Sequence, residues 1–331
     1  MILVTGATGF IGKRFIRILA NKYPKDKILC LTWSKKKKIE GNGRKILKEL
    51  KIKFIQGDLV TKRGLDKLPQ KPEIIFHLAA NTHTDELDHR VNDVGTKNLL
   101  EAVGPLDKNS LFVHVSTTMF VGGRKNCKNP VNENTKPFPT NEYTRTKLEA
   151  ERYLRQKAKA QGFRLAIVRF PTVYGKNPRE KSLFDFLKEL IEKGSLLARP
   201  NWPGLTGLIH VDDAAKAIFL SSKIKIKPRS SETILFSAEN LTLAQISKIL
   251  HEAMGYEYNE IKIPKFVWSF FQILRRYVYL LEPFLPPGNY NLVWRASLIV
   301  DHVFNCNSSK AHKLFPNWRF KKLEDSVTEI L

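Results

Sequence analysis

The chain is poor in cysteine, with three among 331 residues. Cys30, Cys127 and Cys306 lie far apart and form no CxxC pair. Neither a disulfide framework nor a cysteine zinc site is available, no metal is expected, and a reducing compartment is. Acids are scarce too: 32 Asp and Glu stand against 56 Lys and Arg, a formal net charge of +24. Such a field attracts anions, but the lysines are scattered over the whole length, so the excess reads as a lysine-rich composition and no nucleic-acid partner is inferred. Long apolar runs are missing. The most apolar stretch, 266–285, is interrupted by Arg275, Arg276 and Glu282, short of the ~18 nearly uncharged residues that a membrane span requires. The first apolar run, Ile2-Leu3-Val4, leads straight to Gly6. That leaves no room for a secretory leader, and a cytoplasmic location is expected. Hydrophobic residues still make up 42% of the chain, enough for a packed core, and the length corresponds to about two domains.

Short apolar runs at 2–4, 28–31, 53–55, 74–76, 111–115 and 165–168 read as buried strands. Helical patterns at 10–22, 91–103 and 142–161 lie between them. This alternation predicts an α/β fold, a doubly wound parallel sheet of the Rossmann type. After Gly175 the rhythm turns helical, at 182–193, 211–221, 243–254 and 266–281, with short strands at 208–210 and 234–236. The predicted organisation is a dinucleotide-binding domain over 1–170, to which 205–240 returns. A smaller, mostly helical substrate lobe covers 171–204 and 241–331.

The run TGATGFIG, from Thr5 to Gly12, follows a predicted strand and opens a predicted helix. Gly6 permits a tight turn, Gly9 lets backbone approach a pyrophosphate, and Gly12 lets the helix pack on the sheet. The backbone through Gly6, Thr8, Gly9, Phe10 and Ile11 is the candidate phosphate cradle, facing the positive end of the helix. The second strand ends Leu31-Thr32-Trp33-Ser34, followed by lysines from Lys35 to Lys38. An acid here would bind ribose hydroxyls and repel a ribose phosphate; none is present. A hydroxyl at Ser34 beside Lys35 suits that phosphate, so NADP is favoured over NAD.

Tyr143 and Lys147 are four residues apart on a predicted helix and share a face. A neighbouring ammonium stabilises phenolate and lowers the tyrosine pKa from about 10, which suits proton transfer. The run VSTTMFVGG, from Val115 to Gly123, puts Ser116, Thr117 and Thr118 at the carboxyl end of the fifth strand, where such folds place ligands.

These motifs together resemble the extended short-chain dehydrogenase/reductases of the NAD-dependent epimerase/dehydratase superfamily. TGATGFIG resembles TGxxGxxG, and Gly57-Asp58-Leu59 resembles the acidic turn that contacts adenine. His77-Leu78-Ala79-Ala80 resembles HxAA, NDVGTKN (92–98) resembles NxxGTxN, and Tyr143 with Lys147 matches YxxxK. RFPTVYG (169–175) and IHVDDAAKA (209–217) resemble later blocks. The resemblance implies that Tyr143 is the acid/base and that Lys147 binds the nicotinamide ribose. It implies cofactor contacts at Asp58, Leu59, Leu78, Ala79, Ala80, Asn98, Val115 and Phe170. Aligned on the block SSxxVYG, the substrate-orienting hydroxyl is Thr118, with Ser116 the second choice.

Two departures bear on substrate. Nucleotide-sugar members often carry Asn where this chain has Pro171-Thr172, and Arg just before IHVDD, where it has Leu205-Thr206-Gly207-Leu208. The reading is therefore an NAD(P)-dependent oxidoreductase acting on a secondary alcohol or ketone, a small molecule of apolar character. The alternatives are a nucleotide-sugar epimerase or dehydratase, and a non-catalytic NADP-sensing binding protein; a homodimer is compatible with each. Phe266, Phe270, Leu274, Tyr277 and Leu281 share a helical face beside Arg275 and Arg276. The expectation is that this face is buried against the protein's own pocket, with little contact to a membrane surface. His77, His83 and His89, near Asp85 and Asp88, match no metal-ligand spacing, and His210 and Asp212 read as structural.

Overall fold

The computed structural model describes the chain apart from residues 34–36, 84–85 and 179–181, with the side chains of 37–39 also outside the description. In chain order the first six strands are β1 (Ile2–Thr5), β2 (Ile28–Thr32), β3 (Lys53–Gln56), β4 (Ile74–His77), β5 (Leu111–Thr117) and β6 (Arg164–Phe170). They are followed by β7 (Thr172–Tyr174), β8 (Leu205–His210), β9 (Ser231–Leu235) and β10 (Glu239–Thr242). The first helices are α1 (Gly12–Lys22), α2 (Lys37–Glu49), α3 (Arg90–Ala102), α4 (Glu142–Gln161) and α5 (Leu183–Glu192). Then come α6 (Val211–Ser221), α7 (Leu243–Ala253), α8 (Lys265–Arg275) and α9 (Pro287–Ser297).

The chain divides into two compact units. The first comprises Met1–Thr117, Glu142–Arg169 and Val211–Ile234. Its framework is a seven-stranded sheet in the order β3-β2-β1-β4-β5-β6-β9. The pairs β3/β2, β2/β1, β1/β4 and β4/β5 are parallel. Strand order reverses at β1 and β4, which makes their carboxyl ends the switch point where doubly wound sheets bind ligands. The strands form because their residues are apolar and partly β-branched, as in Ile2-Leu3-Val4, and both sheet faces are covered. One core cluster joins Leu3, Ile75 and Phe112 of the sheet to Leu99 of α3 and Leu154 of α4. Helix α1 turns Phe15, Ile16, Leu19 and Ala20 inward at helical spacing.

The second unit comprises Thr118–Asn141, Phe170–His210 and Leu235–Leu331. It holds a three-stranded sheet in the order β10-β8-β7, antiparallel for β10/β8 and parallel for β7/β8. Tyr174, Phe184, Leu208, Leu250 and Leu323 centre its core. Helices α5 and α7 start with full capping boxes, from Ser182 with Asp185 and from Thr242 with Gln245.

Two expectations need correction. No helix was expected between the strands at 28–31 and 53–55, but α2 starts at Lys37 and runs to Glu49. Gly41 and Gly43 obscured it, although Ile39, Ile46, Leu47 and Leu50 follow helical spacing. The helix expected over 266–281 ends at Arg275, and 3-10 turns continue from Val278 to Phe284, around Pro283. Its apolar face is also exposed rather than buried: Phe266 is 75% exposed, and Phe270, Leu274, Tyr277 and Leu281 are exposed as well.

Candidate active site

The glycine run forms a tight loop between β1 and α1. Gly6 takes a left-handed φ of +73°, and a Cβ on it would stand 2.6 Å from the Ala79 nitrogen. A Cβ on Gly12 would stand 2.0 Å from the Gly6 carbonyl oxygen. Among the described residues, an added Cβ at Gly9 would meet only the Gly6 oxygen, at 3.3 Å. No side chain caps α1 at Ile11. An open backbone face, two packed glycines and a helix N-terminus without a side-chain cap suit a pyrophosphate, so the residues present fit a dinucleotide. Phe10 is half-buried, with the Arg14 guanidinium 5.0 Å from its ring centre.

A hydrogen-bond chain ties this loop to its neighbours. The Ala79 N–H donates to Thr5 Oγ1 at 3.3 Å, and Thr5 Oγ1 lies 2.7 Å from His77 Nδ1. His77 Nε2 lies 2.9 Å from Thr96 Oγ1, which donates to the Asn92 carbonyl at 2.5 Å. Since Thr96 spends its proton on Asn92, His77 donates from Nε2 and accepts at Nδ1. Burial pushes the His77 pKa down to about 3, with the Lys147 charge acting in the same direction, so the ring stays neutral. The HxAA and NxxGTxN motifs thus brace β1, β4 and α3, and place Leu78 and Ala79 beside Gly6, with half-buried Ala80 following.

Asp58 accepts the Val60 and Thr61 N–H groups on Oδ1, at 2.8 and 3.2 Å, and Trp33 Nε1 on Oδ2 at 3.4 Å. The Asn98 amide donates to the carbonyls of Leu59 and Val60, at 2.7 and 3.2 Å. Asn98 therefore holds the Asp58–Leu59 turn in place. Ser34 and Lys35, expected at the ribose, lie outside the described residues. Sequence reasoning missed Glu40 and Arg44, both on α2. Thr8 Oγ1 donates to Glu40 Oε1 at 2.8 Å, and Arg44 donates to the Trp33 carbonyl. Burial pushes the Glu40 carboxyl up, against the Thr8 hydrogen bond and the Arg44 charge. A Cβ on Gly43 would come within 2.4 Å of Thr8, so this glycine lets α2 pass against the phosphate loop.

Tyr143 and Lys147 occupy the first turns of α4, both buried. Lys147 Nζ donates to the Val115 carbonyl at 2.7 Å, at the carboxyl end of β5. Burial lowers its pKa to about 8, although the Glu151 carboxylate pulls it up. The Tyr143 ring lies 5.7 Å from the ring of buried His89. The hydroxyl of Ser116 is buried and has no hydrogen-bond partner among the described residues. In the second unit, the Thr118 hydroxyl is likewise buried, with only the Cys306 thiol beside it among the described residues. It lies close enough to the Cys306 thiol to draw that group's pKa down, against the burial that pushes it up to about 12. The Thr118 N–H donates to the Phe170 carbonyl at 3.0 Å, while the Phe170 ring packs 6.2 Å from Phe236 as core. The two positions that depart from the nucleotide-sugar pattern meet: Thr172 Oγ1 lies 3.1 Å from Thr206 Oγ1. Of the residues weighed as ligands, His83 donates its backbone N–H to Asn81 Oδ1 at 3.1 Å, the Asn81 carbonyl oxygen lies 3.3 Å from His89 Nδ1, and Arg90 holds Asp88. Asp85 lies outside the described residues.

A family model described as the NAD dependent epimerase/dehydratase family matches residues 2–228. The chain belongs to that family. Among curated members, dTDP-D-glucose 4,6-dehydratase of Dictyostelium discoideum is 29% identical over 234 residues, covering 65% of this chain and 54% of that protein. The match to dTDP-D-glucose 4,6-dehydratase of Homo sapiens is 28% over 281 residues, covering 80% of this chain and 77% of that one. The chain spans about half the length of the Dictyostelium relative. Among solved structures, UDP-glucuronic acid 4-epimerase from Bacillus cereus, in complex with UDP-glucuronic acid and NAD, superposes with a TM-score of 0.72 at 21% identity. That superposition covers 99% of this chain and 96% of the other, which shows the epimerase/dehydratase fold. Among the described residues no helix is long and apolar enough to cross a membrane.

Proposed function

We propose that this family member is an NAD(P)-dependent oxidoreductase that moves hydride between the nicotinamide and a secondary alcohol or ketone. The observation that carries the proposal is the buried Lys147 ammonium, 2.7 Å from the Val115 carbonyl and one helical turn from Tyr143, at the carboxyl end of the strand bearing the Ser116 hydroxyl, which has no partner among the described residues. When bound, the nicotinamide supplies the hydride donor or acceptor. Tyr143 exchanges the proton of the substrate oxygen. The Lys147 charge stabilises phenolate at Tyr143 and offers N–H donors to a ribose. Thr118 is the preferred group to orient the substrate oxygen, by its 25-residue spacing to Tyr143 (143 minus 118), and Ser116 the second.

NADP is the proposed form of the cofactor. β2 ends Thr32-Trp33 without an acid, and the Arg44 guanidinium is hydrogen-bonded at that end. NAD is the form bound by the Bacillus cereus structure. A cytoplasmic location is proposed, in keeping with three buried free thiols. A second reading, conversion of a nucleotide sugar, is favoured by the dTDP-D-glucose 4,6-dehydratase relatives. The Thr172–Thr206 pair weighs against it, because the amide and guanidinium common in such members are replaced by two hydroxyls bonded to each other.

The test is one assay with two substrate sets at fixed salt. Net oxidation of NADPH by ketones, with NADPH bound more tightly than NADH, is expected. Conversion of UDP- or dTDP-glucose without net use of the nucleotide would replace this reading with the second. Dinucleotide binding with no turnover on either set would leave only the sensing role.

A further inference from the structure

Helix α8 is clamped on one side and bare on the other. Trp268 Nε1 donates to Asn201 at 3.1 Å, Gln272 Nε2 to the Val300 carbonyl at 3.0 Å, and Arg275 to Asp301 and the Gly122 carbonyl, each at 3.0 Å. These anchors, four and three residues apart, fix the rotation of the helix about its axis. The opposite face, with Phe266, Phe270, Leu274 and Tyr277, is thereby held toward solvent. Leu280, Leu281 and Phe284 of the following 3-10 turns extend it, Phe284 being 82% exposed. Leu292 on α9 is 70% exposed. An exposed apolar surface of this extent marks an interaction site.

Charge identifies the partner. Apart from Arg275, which is buried against Asp301, the chain has four cations between 262 and 295, Lys262, Lys265, Arg276 and Arg295, and one acid, Glu282. Beside the apolar face lies a cavity of about 630 Å³, lined by Lys125, Lys128, Arg276, Asn126, Gln272 and His302 among others. Gln272 and Arg276 belong to α8 and its C-terminal cap, so the basic cavity and the apolar face share one element. The one acid among the described lining residues, Asp301, is paired with Arg275 at 3.0 Å. An apolar helix face with cationic flanks fits the boundary between headgroups and acyl chains of an anionic bilayer. A second copy of this chain fits poorly, since a two-fold contact would set these cations against themselves on a molecule of charge +24.

We propose that α8, the 3-10 turns and α9 dock this protein on an anionic phospholipid bilayer, with a headgroup phosphate in the cavity lined by Lys125, Lys128 and Arg276. The full chain is floated with phosphatidylcholine vesicles with and without phosphatidylglycerol, at physiological salt. Binding at least about tenfold tighter to the anionic vesicles is expected, weakening as salt rises. Phe270→Ser with Leu274→Ser should abolish flotation. Lys125→Glu with Lys128→Glu, at exposed positions that leave the fold intact, should remove only the preference for anionic lipid. Absence of wild-type flotation with anionic vesicles would overturn the proposal, as would an unchanged preference in the lysine variant. A concentration-dependent dimer that forms through this face without any vesicle binding would assign it to a second copy instead.

Discussion

The Lys147 ammonium and the Val115 carbonyl oxygen, 2.7 Å apart, join the first turns of α4 to the carboxyl end of β5. This bond holds a cation beneath Tyr143 in a fully buried position, where its pKa falls to about 8. Below that pH the ammonium is present; above it the charge that favours phenolate is lost. The value of kcat/KM for the dinucleotide should therefore decline as pH rises through about 8. In Lys147→Met that decline should vanish, with rate and cofactor affinity both reduced. Steady-state kinetics from pH 6 to 10 check this, and an unchanged profile in the variant would remove Lys147 from the proton chemistry.

Tyr143→Phe keeps the ring and its contact with His89 but removes the exchangeable proton. Turnover should fall by about 10²–10⁴-fold, the range of a positioned acid/base group, with dinucleotide affinity nearly unchanged. Thr118→Val should cost more rate than Ser116→Ala. The reverse order would move the orienting role to Ser116, and near-normal turnover by Tyr143→Phe would refute the assigned acid/base.

The glycine loop separates binding from stability. An added Cβ at Gly12 collides with backbone at 2.0 Å, so Gly12→Ala should lower the unfolding midpoint markedly. At Gly9 the added carbon meets one atom at 3.3 Å and points into the space assigned to pyrophosphate. Gly9→Ala should keep most of the stability and lose at least about tenfold in dinucleotide affinity, a change of about 1.4 kcal/mol. Thermal unfolding and cofactor titration on both variants check it.

His114 is buried in β5 with neither ring nitrogen hydrogen-bonded among the described residues, and its ring stacks 5.5 Å from His77. Burial, then the Lys147 charge, hold its pKa well below 6.5. The folded protein keeps the ring neutral while the unfolded chain protonates it. This contribution to stability is complete above about pH 6.5 and is lost as pH falls, at up to about 1.4 kcal/mol per unit. His114→Phe should remove that part of the acid slope without lowering stability at neutral pH. Urea unfolding at pH 7 and 5 measures both quantities, and an unchanged slope would show that another group titrates.

The sheet, the glycine loop and the Tyr143–Lys147 pair were legible because each rests on local pattern. Strands and α4 follow from hydrophobic periodicity, and a four-residue spacing on one helix fixes which side chains share a face. Helix α2 was not legible, because Gly41, Gly43 and a lysine run argue locally against helix, while its packing on Thr8 is a contact across 32 residues. The two bonds from the Asn98 amide to the Leu59 and Val60 carbonyls were not legible either, since they join residues some 39 apart.

Periodicity and motif spacing were enough for the fold class, the glycine loop and the placement of Tyr143 and Lys147 on one helix, since these depend on residues adjacent along one strand or one helix turn. Which way an apolar face points depends on what clamps the other side. The 266–281 stripe is amphipathic in either orientation, and Asn201, Gly122, Val300 and Asp301, distant in sequence or across a break in the chain's path, turn it outward. The same holds for the Thr172–Thr206 bond, which closes two separate departures onto each other. Long-range pairing of this kind leaves no local periodic signal, so it emerges only when the strands and helices are packed.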